Sequence, residues 1–369
     1  MVRVFSLSKA STFSAWHLLG VAATSFVSCM HSPPGPPLTG APQSIEPSAP
    51  SLRPLVVLVV IDGVRWQDVF HGANQAWLAT PTAPTREQLV PEIAALEREG
   101  ATLGAPGTTG FFASGPNFVS LPGYMEMLSG SRRTGCTEND CRSVPRATLL
   151  DEFHAESADP SRAGVFSSWP RLEHAAAAER GNGVVSAGPS GGYNHDVLSK
   201  YPSAAHWLNL GASEQEQGGL RKDTTTGHLA RAFLHEASPD FVFVSLGETD
   251  EHAHGGDYTG YLAALKSADA YIGQLRRDLR AIEKKGRDTA LFVTTDHGRA
   301  YHFTDHGRTY PESARSFLIA GGSTIRKAGR LDTLRSALSD IAPTIRVLSG
   351  LPPRPGADQG RVLSEILKY

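Results

Sequence analysis

One pentapeptide occurs twice, nine residues apart, as Thr295-Asp296-His297-Gly298-Arg299 and Thr304-Asp305-His306-Gly307-Arg308. Adjacent carboxylate and imidazole donors are the raw material of a metal centre. A mixed oxygen and nitrogen set suits Zn²⁺, Mn²⁺ or Fe better than Ca²⁺, which takes oxygen alone. Asp250-Glu251-His252-Ala253-His254 adds a third group, in which Asp250 and His254, four apart, share one side of a helical turn. Asp62-Gly63 supplies a further carboxylate beside a residue that permits a tight turn. Six or seven such donors exceed the needs of one ion, so two are expected, and a cation pair is an established arrangement for displacement at phosphorus. A nucleophile for that chemistry lies in Ser120-Leu121-Pro122-Gly123. Proline near the start of an apolar stretch opens a helix at Ser120, where the hydroxyl would face unpaired N–H groups that favour an anion. The plain alternative is that Ser120 is an ordinary helix cap.

These residues need strands to carry them to one place. Leu55 to Ile61 is an unbroken aliphatic run, the mark of a strand covered on both faces. Phe241 to Leu246 and Ala290 to Thr294 read the same way, and Ser316 to Ala320 is a fourth strand. Asp62, Asp250 and Asp296 follow the first three, so three carboxylates should converge on one sheet edge, where open α/β sheets gather their active sites. Helical patterns run over 87 to 99, from His228 to His235, from Asp257 to about Lys285, and within 331 to 348. In the long one Leu265, Ala268, Ile272, Leu275, Leu279 and Ile282 recur at steps of three and four, with Asp257 placed to cap the start and Gly286 the end. Such alternation predicts an α/β fold with a mostly parallel central sheet and helices on both faces.

The chain of 369 residues is 40% hydrophobic and 20% charged, with a formal net charge of −2. That balance argues against nucleic-acid binding, which needs a basic surplus. Residues 1–28 have the order of an export signal: Arg3 and Lys9, an apolar stretch, then Phe26-Val27-Ser28-Cys29, which is similar to a bacterial lipoprotein signal with Cys29 as the lipidated residue. A plain cleaved signal peptide is the alternative. Residues 29–54, dense in Pro, Ser and Gly, read as a stiff tether, and 55–369 as one catalytic domain. The expectation is an exported bacterial protein, periplasmic or held at the outer membrane by its lipid. Cys136 and Cys141, close together in a polar stretch, would close a small disulfide loop in an oxidising compartment.

With these residues in view the chain resembles the alkaline phosphatase superfamily, closest to its phosphodiesterase, nucleotide pyrophosphatase and phosphomutase-like branches. The resemblance rests on Val60-Ile61-Asp62-Gly63, Ser120-Leu121-Pro122, Asp250 with His254, Asp296-His297-Gly298 and His306, in that order. It implies an alkaline-phosphatase-like fold and two divalent transition-metal ions, Zn²⁺ with Mn²⁺ as the alternative. Asp62, Asp296, His297 and the Ser120 oxygen would hold one ion; Asp250, His254 and His306 would hold the other. Ser120 would attack a small phosphate ester to give a phosphoseryl intermediate, and Asn139 would contact the phosphate. Sulfatases carry Arg where Tyr124 stands here, two residues after the Pro, which turns the expectation from sulfate to phosphate esters. Asp305 is expected as an orienting or surface group, His252 facing solvent, and His302 covering the pocket or facing water. Arg65, Arg299 and Arg308 could contact a phosphate, though the surface is the usual place of Arg. Tyr124 could line the pocket or pack in the core.

Overall fold

The computed structural model describes residues 52–214, 217–332 and 335–368. The expected signal segment with Cys29, and nearly all of the tether, lie outside these. Nine strands form the main sheet: β1 (Leu55–Ile61), β2 (Ala101–Leu103), β3 (Ala163–Ser167), β4 (Val184–Ala187), β5 (Gly191–Tyr193), β6 (Phe241–Leu246), β7 (Thr289–Thr294), β8 (Leu318–Gly321) and β9 (Gly329–Arg330). Their spatial order is β9-β2-β8-β7-β1-β6-β3-β4-β5. The run β7-β1-β6-β3-β4 is parallel, and β8 and β5 run antiparallel beside it.

Strand β1 lies at the centre, and its alternation divides the core. Leu55, Val57, Val59 and Ile61 enter one apolar cluster, while Val56, Leu58 and Val60 enter the other. The principal helices are α1 (Pro91–Glu99), α2 (Ser120–Ser129), α3 (Asp223–Ala237), α4 (Glu248–His254), α5 (Tyr258–Glu283) and α6 (Ile341–Leu348). Helices α1, α3 and α5 cover the first face through Ile93, Leu229 and Leu265; α2 and α6 cover the second through Leu121 and Ile345. The expected mostly parallel sheet with helices on both faces is the observed one. Among the described residues no helix is long and apolar enough to cross a membrane.

Two local expectations are corrected. The pattern over 87 to 99 is two helices, Arg86–Leu89 and α1, broken at Val90, because a residue before proline is driven out of helical geometry. The stretch Ser316 to Ala320 is also divided. Arg315–Ser316 pairs with Phe111–Phe112 in a small second sheet, and β8 begins only at Leu318. Helix α5 starts one residue after Asp257, whose side chain accepts from the Gly260 N–H.

Register fixes what leaves the sheet. Ile61 lies opposite Leu246 and Val60 opposite Thr294, so Asp62, the turn into α4 and Thr295-Asp296 emerge at the same edge. The Asp62 N–H bonds to the Leu246 carbonyl at 2.9 Å. Gly63 turns there with φ 56°, a left-handed conformation, and a Cβ on it would lie 2.2 Å from Asp250 Oδ1.

Candidate active site

The nucleophile candidate opens α2. Ser120 is the first helical residue, and its side chain makes no capping bond to the helix. Its Oγ lies 3.3 Å from Asp62 Oδ1 and 3.2 Å from His297 Nε2. The cap comes instead from Asn139, whose Oδ1 accepts the Leu121 N–H at 2.9 Å. Asn139 sits in the loop that Cys136 and Cys141 close as a disulfide. Because Leu121 N–H is so used, Pro122 has none, and Gly123 N–H goes to Val119 O, the first turn offers less of an amide cradle than its sequence suggests. Gly123 is the close-packing point of the helix: a Cβ there would lie 2.8 Å from the Asp296 carbonyl oxygen.

Asp62, Asp296 and His297 form one candidate metal group, and Asp250, His297 and His306 another. His297 therefore lies between the two sets, and its ring stacks on that of His306 at 3.8 Å. His254 completes the second set, with Nε2 3.2 Å from Asp250 Oδ2 and 3.1 Å from His306 Nε2. Backbone carbonyls orient two of the imidazoles. His297 Nδ1 lies 3.0 Å from Gly298 O and His306 Nδ1 2.9 Å from Phe118 O, which turns each Nε2 inward. Burial pushes the His297 imidazole down to about 4 and His306 to about 3, so both are the neutral rings that metal coordination requires.

The carboxylates divide. Burial and the neighbouring Asp296 hold the Asp62 carboxyl well above the usual range, and burial pushes Asp296 up to about 6. Burial acts on Asp250 in the same direction, yet the Arg299 guanidinium outweighs it, with His254 and His306, and the carboxyl falls well below its ordinary value. Asp296 Oδ2 is buried with no hydrogen-bond partner. An orphaned carboxylate oxygen, crowded by other carboxylates and inward-facing imidazoles, is what a divalent cation would satisfy. The donor set thus fits metal ions.

The sequence-predicted residues Asp62, Ser120, Asn139, Asp250, His254 and His306 line one pocket of about 140 Å³. Asp305 is exposed and bonds His302 Nε2 at 2.8 Å, while His252 pairs with Asp257. Arg65 and Arg299 are buried, contrary to the surface expected for them. Arg65 pairs with Asp68, and Arg299 pairs with Asp250. Tyr124 is fully buried: its O–H donates to Asp62 Oδ2 at 2.6 Å, and Ser245 Oγ lies 2.8 Å away. Its spacing of four from Ser120 on one helix was the signal that could have placed it there. Trp169, Leu220 and Glu251, which also line the pocket, carried no signal in sequence.

A family model described as the Metalloenzyme superfamily matches residues 217–353, which include α4, β7 and both pentapeptides. A 2,3-bisphosphoglycerate-independent phosphoglycerate mutase from Ruegeria pomeroyi is 28% identical over 42% of this chain and 33% of its own. The chain spans about a third or less of the length of the curated relatives it matches. Among solved structures, wild-type alkaline phosphatase PafA superposes with a TM-score of 0.57 at 12% identity, over 86% of this chain and 99% of that one. A 2-O GAG sulfatase does so with a TM-score of 0.55 at 14% identity, over 85% and 74%. The fold is thus alkaline-phosphatase-like, one shared by phosphatases and sulfatases.

Proposed function

We propose that the chain is a two-cation phosphoester hydrolase that uses Ser120 as its nucleophile. The observation that carries this reading is the position of Ser120 Oγ, at 3.3 Å from Asp62 Oδ1 and 3.2 Å from His297 Nε2, on the first turn of a helix aimed at the carboxyl edge of the sheet. Asp62, Asp296 and His297 would hold one cation beside that oxygen, and Asp250, His254 and His306 the other. Bound there, divalent cations supply Lewis-acid charge at the attacking and leaving oxygens. Zn²⁺ suits the donors best, and Mn²⁺ is the alternative.

The residues do the rest. Asp62 Oδ1 accepts the hydrogen bond of the Ser120 hydroxyl and holds its lone pairs toward the pocket. The Ser120 hydroxyl gives up its proton to water as its oxygen bonds to phosphorus. The P–O ester bond breaks, and the leaving oxygen takes a proton from water to depart as the alcohol. A second water then cleaves the phosphoserine, restoring the Ser120 hydroxyl and releasing phosphate. Asn139 spends its Oδ1 on the helix, which leaves its amide N–H₂ to donate to a phosphoryl oxygen. Tyr124 supports phosphate over sulfate: a buried phenol bonded to Asp62 stands where sulfatases of this superfamily carry Arg. Export, with lipid attachment at Cys29, belongs to the same proposal and would set the reaction outside the cytoplasm.

The test is a panel of p-nitrophenyl phosphate, bis(p-nitrophenyl) phosphate and p-nitrophenyl sulfate, each with Zn²⁺ or Mn²⁺. Turnover of a phosphate ester is expected. Ser120→Ala should abolish it while two ions per chain stay bound; full activity in that variant would remove Ser120 from the mechanism.

A further inference from the structure

The two donor sets differ in the charge that stands behind them. In the first, Asp62 receives a hydrogen bond from the neutral Tyr124 phenol at 2.6 Å, and Asp296 Oδ1 receives one from Gly63 N–H at 3.0 Å. Among the described residues no lysine or arginine ion-pairs with either carboxylate. The two acids are 4% and 0% exposed. In the second set Asp250 is already ion-paired to the Arg299 guanidinium, whose side chain is fully buried. That guanidinium is fixed in place. Its Nη2 also donates to the Asp250 carbonyl at 3.3 Å, and Nη1 donates to the carbonyls of Phe303 at 3.4 Å and Thr304 at 3.1 Å. Counting only each set's own carboxylates and the guanidinium ion-paired to them, the formal charge is −2 in the first set (Asp62, Asp296). In the second it is −1 + 1 = 0 (Asp250, Arg299).

We infer that Arg299 makes the two cation sites unequal, so that the first ion is held tightly and the second exchanges with the free divalent cation around the protein. The inference rests on the two-cation reading above. Charge attraction falls only as the inverse of distance and is little screened where water is excluded. Arg299 is in direct contact with the Asp250 ligand and acts on Asp62 only from farther off, so it opposes a cation at the second site more than at the first. His254, with 43% of its side chain exposed, gives the second ion a direct route to solvent. The fraction of chains carrying both ions would then follow the ambient cation level, and turnover with it.

The test is a titration of metal-free protein with Zn²⁺, followed by calorimetry and by competition with a chromophoric chelator. Wild-type protein should bind two ions in two steps separated by at least tenfold in affinity, or about 1.4 kcal/mol. Arg299→Gln keeps an amide donor without the charge and should tighten the second step by tenfold or more, with the first step within threefold. Arg299→Lys keeps the charge and should follow wild type. Two equal sites in wild type would overturn the inference with no variant needed. So would a second step left unchanged or weakened in Arg299→Gln. Wild-type protein that binds fewer than two ions would instead overturn the two-cation reading itself.

Discussion

The Tyr124 hydroxyl offers a sharp probe of how the site is held. Tyr124→Phe removes one oxygen and keeps the ring, which packs edge-on against Phe243 at 5.9 Å, so the core around it should keep its shape. What is lost is the 2.6 Å bond to Asp62 Oδ2 and the 2.8 Å contact with Ser245. Burial and the adjacent Asp62 hold the phenol well above its ordinary range, so it is a donor at every working pH. A hydrogen bond to a charged group is worth about 1.5–3 kcal/mol. Losing one that orients a metal ligand typically costs about 10- to 100-fold in affinity or activity. We expect a fall of that size in kcat/KM for p-nitrophenyl phosphate, together with weaker binding of the tighter cation in chelator competition. Ser245→Ala leaves the Tyr124–Asp62 bond in place and should cost only about 1 kcal/mol, the net worth of one neutral hydrogen bond. A folded Tyr124→Phe protein within twofold of wild type in both measurements would refute the claim that Tyr124 orients Asp62.

The twin pentapeptides make a second case. Asp296→Asn alters a fully buried carboxylate in the first donor set and should lower kcat/KM by on the order of a hundredfold, whereas Asp305→Asn changes an exposed group bonded to His302 and Thr304 and should stay within about twofold. Equal losses in a steady-state assay would contradict that division. The buried Glu126 predicts a pH effect, since burial pushes its carboxyl up to about 7 against the hydrogen bonds of Ser114 and Ser339. A folded-state pKa above the unfolded one stabilises fully below the unfolded value of 4.5, and that stability is lost as pH rises to 7. Glu126→Gln should therefore gain relative to wild type across this window, by up to on the order of 3 kcal/mol, and a difference in denaturant unfolding that is flat from pH 4.5 to 7 would sink the assignment.

The parts of the fold that were legible are those where burial is uniform. Leu55–Ile61 and Phe241–Leu246 begin and end where their apolar runs do, because a strand covered on both faces is apolar along nearly its whole length, Ser245 being the one polar residue in the two. The edge of the sheet was not legible. Ala163–Ser167, Val184–Ala187 and Gly191–Tyr193 are short and rich in small or polar residues, and they are strands because neighbours pair with them. Direction was hidden too: nothing in Leu318–Gly321 marks it as antiparallel to β7. The metal-type donors were readable because Asp and His at strand ends are rare as packing. Their supports were not. Arg299 and Arg308 are the same residue in the same pentapeptide, yet one is buried against Asp250 and the other is exposed. The path of the loop decides that, and sequence composition does not carry it.

Gly63 and Gly123 have a consequence for how this pocket can change. A first carbon atom on either would meet Asp250 Oδ1 at 2.2 Å or the Asp296 carbonyl oxygen at 2.8 Å. The floor of the site is thus closed to ornament, since any side chain there pushes the acids apart. Room for a bulkier or smaller ester must be made in the rest of the lining, to which Trp169 and Leu220 contribute. Selection for new substrates, in nature or in the laboratory, should therefore rewrite those positions while both glycines stay as they are.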